Sequence, residues 1–101
     1  MRKITKESAL ALKNEITFVR DNTVVTNSGM MFLHGNNIAN YCDGELSIYD
    51  CGWQTNTTKE RLNGVLYYFN LGHIFQKDWS WFYMDKDRNI TPFNGSMSFD
   101  V

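Results

Sequence analysis

Residues 38–49 read IANYCDGELSIY, and the fold turns on this stretch. Asp-Gly readily supplies the two positive φ angles of a type I′ turn, so Asp43 and Gly44 read as the two-residue loop of a β-hairpin. The register follows: Cys42 faces Glu45, Tyr41 faces Leu46, Asn40 faces Ser47 and Ala39 faces Ile48. Side chains alternate across a sheet, so Ala39, Tyr41, Leu46 and Ile48 share the core face while Asn40, Cys42, Glu45 and Ser47 share the other. Cys42 then stands near the acidic Glu45, which disfavours the thiolate that a nucleophile needs.

Upstream, short apolar runs at 16–20, 23–26 and 30–34 alternate with the turn residues Asp21-Asn22, Asn27-Ser28-Gly29 and Gly35-Asn36-Asn37. That spacing describes an antiparallel meander ending in the 38–49 hairpin. Before it, residues 5–13 are strong helix formers, with Thr5 as N-cap and Asn14 as stop; Ile4, Ala11, Leu12 and Ile16, with Ser8 between them, line one side of a helix lying on the sheet.

Downstream, residues 52–64 read GWQTNTTKERLNG. Thr57 and Glu60 fit a capping box, which starts a helix over 58–69. Leu62, Val65, Leu66 and Phe69 form its apolar stripe, Lys59, Glu60, Asn63 and Tyr67 its wetter side, and Gly72 is able to stop it. Gly64 inside that helix implies close approach of a neighbouring backbone. In the last third, Lys77-Asp78 divides residues 72–84 into a hairpin or lies within one long strand. Either way Trp79, Trp81 and Tyr83 align on one face and Ser80, Phe82 and Met84 on the other. The tail from Ile90, with Pro92 and Asn94-Gly95, reads as an irregular segment or an edge hairpin. Residues 1–101 thus form one small α+β domain: an antiparallel meander, an N-terminal helix and a second amphipathic helix packed on the sheet.

Composition agrees. A chain of 101 residues with 43% apolar residues and fifteen aromatics is long enough for a modest core and far from the make-up of disordered chains. No apolar run approaches the ~18–20 residues of a membrane helix, and the N-terminus lacks a stretch of signal-peptide length, so the expected compartment is the cytosol. There, Cys42 and Cys51 are expected as reduced thiols. The net charge is −1, but residues 21–58 carry Asp21, Asp43, Glu45 and Asp50 with no Lys or Arg. A near-neutral chain with an acidic middle is a poor nucleic-acid ligand, since such binding rests on clustered cations.

Few constellations point to chemistry. His34, Cys42, Cys51 and His73 lack the two-to-four-residue pairing of structural zinc sites, and nothing places a histidine beside either cysteine. Asp43, Asp50, Asp85 and Asp87 fall in turns, where acids serve local hydrogen bonds. Walker, dinucleotide and nucleophile-elbow motifs are missing. No catalytic residue, metal ligand or cofactor is nominated. Trp79, Trp81, Phe82 and Tyr83 beside Lys77, Lys86 and Arg88 have two readings besides core filling: a platform on which single-stranded nucleic acid stacks, or an anchor for a protein partner.

The stretches LHGNNIA at 33–39, Asp43-Gly44 and GWQTNTTKERLN at 52–63 resemble a family of small proteins encoded by tailed bacteriophages, the likeness covering roughly residues 30–84. The resemblance implies a phage origin and expression in the host bacterial cytoplasm; it carries over no catalytic residue. The resulting expectation is a non-enzymatic accessory protein that binds and modulates a host protein through Trp53, Gln54, Thr55, Asn56, Arg61 and Asn63, with Trp79, Trp81 and Tyr83 as a second contact strip. Single-stranded nucleic-acid binding by the 79–83 strand is the runner-up, and an enzyme ranks third.

Overall fold

A computed structural model describes residues 1–101. In chain order the elements are α1 (Lys3–Lys13), β1 (Phe18–Arg20), β2 (Thr23–Val25), β3 (Met30–Leu33), β4 (Asn36–Cys42), β5 (Glu45–Tyr49), α2 (Asn56–Tyr68), β6 (His73–Lys77), β7 (Ser80–Met84), β8 (Ile90–Pro92) and β9 (Ser96–Asp100). Asp43 and Gly44 have φ of 52° and 76°, as a type I′ turn requires. The pairs Cys42–Glu45, Tyr41–Leu46, Asn40–Ser47 and Ala39–Ile48 form in the register read from that turn. The meander is antiparallel from β1 to β5, and the main sheet has the order β1-β2-β3-β4-β5-β9. The tail is neither irregular nor an edge hairpin: β9 closes the main sheet beside β5, while β8 joins a separate sheet of order β6-β7-β8.

α1 ends at Lys13 with Asn14 as its C-cap, as the sequence suggests, whereas α2 ends short of Gly72, and both close in the same way. After α1, Glu15 takes φ 56° and Ile16 donates its N–H to the Ala11 carbonyl at 2.9 Å; after α2, Asn70 takes φ 60° and Leu71 donates to the Leu66 carbonyl at 2.8 Å. Each is a left-handed Schellman closure. Ile16 is therefore spent on the helix end and is exposed rather than lining the core. Gly72 does not stop α2. A Cβ there would stand 1.7 Å from the Met84 carbonyl oxygen, so it is a crossing point of chain against chain.

Helix starts are corrected too. Thr5 is not an N-cap: α1 begins at Lys3, and Thr5 is buried with Ile4, Ser8, Ala9, Ala11 and Leu12. The α2 cap is Thr55, whose Oγ1 accepts from the Thr58 N–H at 3.1 Å, rather than Thr57. Glu60 does not reach back to Thr57; it accepts from the Thr5 hydroxyl at 2.7 Å and from Arg61 at 2.6 Å. A partner 55 residues away outcompetes the local box, and three threonines in four positions leave another cap available. We expect Thr55→Ala to cost about 1 kcal/mol, or roughly 4–8 °C in melting temperature for a chain of this size. Thr57→Ala should leave the thermal midpoint nearly unchanged, and equal losses for the two variants would contradict this cap assignment.

The expected apolar stripe of α2 holds: Leu62, Val65 and Leu66 are fully buried and Phe69 packs at the margin of the core. Their partners include Leu12 of α1, Val25, Met31, Leu46 and Ile48 of the main sheet, and Ile74, Trp81 and Tyr83 of the second sheet. Residues 73–84 form a hairpin, but the loop is Asp78-Trp79, with φ of 51° and 68°, and Lys77 pairs with Ser80. That shift by one residue removes Trp79 from the face it was expected to share with Trp81 and Tyr83. Those two rings turn inward, Trp81 against Phe93 at 6.0 Å and Tyr83 against Phe99 at 5.2 Å.

Candidate functional site

The loop from Asp50 to Asn56 is built around one carboxylate. Asp50 follows β5 and is only 7% exposed. Its Oδ1 accepts from the Gly52 N–H at 2.8 Å and its Oδ2 from the Gln54 side-chain amide at 3.0 Å. Its carbonyl accepts from Trp53 at 2.9 Å, and its own N–H donates to the Gly95 carbonyl at 3.0 Å. Cys51 and Gly52, at φ 55° and 79°, complete the reversal. The loop is thus a tight turn wrapped on its own acid, the local use of turn aspartates that the sequence suggests. Its outcome is to hold the Trp53 ring outward, 60% exposed.

Three grooves meet at Asp50. The first, about 410 Å³, lies between the β3–β4 turn and the loop, with Leu33, His34 and Ile38 on one wall and Trp53, Thr55 and Thr57 on the other. The stretches 33–39 and 52–63, separated by a hairpin in sequence, face each other across it. The second, about 430 Å³, is lined by Asn40, Tyr49, Cys51 and Ser96. The third, about 530 Å³, is bordered by Gln54, Trp79, Phe82 and Asn94. Asp50 lines all three. Volumes of this order suit a small ligand or a partner's side chains.

The residues singled out from the sequence divide into two groups. Trp53, Gln54, Thr55, Asn56 and Trp79 are exposed, and all but Asn56 belong to the cap, the carboxylate turn or the groove walls. Trp79 is 91% exposed and occupies a left-handed position usually given to glycine or asparagine. The others hold the fold. Arg61 is 1% exposed, with Nε donating to the Thr23 hydroxyl at 3.1 Å and Nη1 to the Thr5 hydroxyl at 2.7 Å and to Glu60 at 2.6 Å. Asn63 donates to the Ile74 carbonyl at 2.9 Å and accepts from the Ile74 N–H at 2.7 Å, standing in for a strand beside β6. Trp81 and Tyr83 are core rings, whereas Trp79 is exposed and Phe82 half-buried. Neither Asp50 nor His34 is among the partner-binding residues expected from the sequence; Asp50 reads there as a turn acid in the cation-free block 21–58, and His34 as a histidine without a ligand partner.

Nucleophilic chemistry finds little support. The Cys42 thiol is pushed up by its hydrogen bond with Asp43, then by the charges of Asp43 and, more weakly, Glu15; Asp43 rather than the expected Glu45 is the neighbour that matters. Cys51 is raised by burial and by the Asp50 charge, and its Sγ lies 2.9 Å from the Asn37 carbonyl oxygen. Both shifts reduce the thiolate fraction. Asp85 is lowered by hydrogen bonds from the Asn89 backbone, the Asn89 amide and the Asp87 backbone, which staple its loop. His34, Cys42, Cys51 and His73 do not gather into a group of three or more potential metal ligands. No helix is long and apolar enough to cross a membrane.

The model of the family described as Kyanoviridae Gp96 protein matches residues 1–100. No curated protein and no solved structure matches the chain.

Proposed function

We propose a role for a chain that belongs to the Kyanoviridae Gp96 protein family, a family of phage proteins: it is a non-enzymatic accessory protein that binds and modulates a host protein in the bacterial cytoplasm. The observation that carries this reading is the pair of tryptophans left outside a core that had room for a third. Trp53 and Trp79 border grooves that share Asp50, and tryptophan is the residue most enriched among the few that dominate protein interfaces. Trp79 also sits in a backbone conformation unfavourable for a bulky side chain, and strain of that kind tends to collect at binding sites. With Trp81 and Tyr83 buried, the nucleic-acid alternative keeps only Trp79 and the half-buried Phe82 of its four rings and is the less favoured reading.

The test is capture from host lysate by the tagged chain. A specific host protein should be retained by the wild type and lost with Trp53→Ala/Trp79→Ala, a double variant whose melting temperature should stay close to wild type because both rings are exposed. Equal capture by the double variant would remove this surface from the interface. Arg61 is unsuitable as the probe residue, since it is buried in the fold and its loss would destabilise the whole domain.

A further inference from the structure

Asp50 is a buried carboxylate without a cation. The chain's ion pairs are Arg2–Glu60, Lys3–Glu7, Arg20–Glu7 and Arg61–Glu60, and none involves Asp50. None of the three grooves that meet at it is lined by a lysine or arginine. A buried charge is ordinarily offset by an opposite one, because desolvation costs more than two neutral hydrogen bonds return. Each Asp50 oxygen accepts one intramolecular hydrogen bond, which leaves acceptor capacity on both. Beside Oδ1, a Cβ on Gly95 would stand 3.7 Å away, so the glycine keeps that flank free of side chain. Trp53 borders one of the grooves and Trp79 another.

A buried carboxylate that shares one groove with the exposed Trp53 and another with the exposed Trp79 has the chemistry to receive a cation: a ring face attracts it and the acid neutralises it. We infer that the Asp50 grooves take a basic side chain of the partner protein, arginine in preference to lysine, since the planar guanidinium both stacks on indole and pairs with a carboxylate. This rests on the host-binding reading for the identity of the partner, but not for the chemistry of the site.

The two are separable by experiment. The full chain is titrated with Nα-acetyl-arginine amide, and with the neutral near-isostere Nα-acetyl-citrulline amide, while the indole N–H signals are followed by NMR. Saturable shifts of the Trp53 or Trp79 signal are expected with the arginine compound. They should be about tenfold weaker or more with the citrulline compound, and likewise with Asp50→Asn, as befits loss of a charge-assisted hydrogen bond. Asparagine keeps an oxygen for the Gly52 N–H, so the turn survives; should it not, the comparison of the two compounds on wild type still decides. Equal binding of both compounds, undiminished arginine binding by Asp50→Asn, or no saturation overturns the inference. Host capture that persists in Asp50→Asn but fails in Trp53→Ala/Trp79→Ala overturns it while keeping the host-binding reading. Asp50-dependent arginine binding without any captured host protein does the reverse.

Discussion

Arg61→Ala is expected to lower the unfolding free energy by about 3–5 kcal/mol. That is a large part of the roughly 5–15 kcal/mol that holds a domain of this size together. The guanidinium joins three elements: it donates to Thr5 on α1, to Thr23 on β2 and to Glu60 beside it on α2. The two hydroxyls pass the bonds on, Thr5 to the Glu60 carboxylate at 2.7 Å and Thr23 to the Asn22 amide oxygen at 2.8 Å. Alanine would leave both hydroxyls without their donor and open a void where a large buried side chain stood. Glu60 would lose its closer cation and keep only Arg2, 3.7 Å away and largely solvated. Arg61→Lys should recover part of the loss, because one ammonium cannot serve Thr23, Thr5 and Glu60 with the geometry of the fork. Urea denaturation of the three proteins measures this. A wild-type midpoint for Arg61→Ala would mean that the side chain is not buried in the network at all.

The second large effect is at Gly64. In an open helix, alanine is about 1 kcal/mol better than glycine. Here a Cβ would stand 2.3 Å from Thr5 Cγ2 and 3.4 Å from the Thr5 carbonyl oxygen. Thr5 cannot simply rotate its methyl away, because Oγ1 accepts from Arg61 and donates to Glu60. Gly64→Ala should therefore destabilise by about 1–3 kcal/mol despite the gain in propensity. Thr5→Ser removes the offending methyl and keeps the hydroxyl. In that background Gly64→Ala should cost about 1 kcal/mol less than in wild type, a coupling of the size seen between touching residues. A double-mutant cycle in guanidinium chloride reads it directly; additive losses would place the strain elsewhere.

These two positions also separate what was legible in the chain from what was not. Gly64 could be read as a close approach, because glycine in a helix interior needs a reason; which element approached could not. Arg61 read as an exposed contact because charged residues usually are, and the Thr5 and Thr23 hydroxyls that make burial tolerable lie 56 and 38 positions away. The same holds for the helix cap. Thr57 and Glu60 satisfy the local pattern, but Glu60 is bound across the helix pair, so the start moves to Thr55. At Asp78-Trp79 no local rule favours a tryptophan in the turn, and the pairing of β6 with β7 that buries Trp81 and Tyr83 decides the loop.

The sequence by itself determined the antiparallel meander and the register of its central hairpin, since Asp43-Gly44 permits a two-residue turn and the period-two pattern then places every side chain. It also determined the apolar stripe of α2. Both depend on residues within a few positions of one another. Only the tertiary structure decided that Arg61, Trp81 and Tyr83 lie inside and Trp53 and Trp79 outside. It alone brings residues 33–38 to face residues 53–57 and leaves Asp50 buried without a cation. Those outcomes depend on which hydroxyls, rings and charges meet across elements, and such meetings are long-range energies that no local window contains.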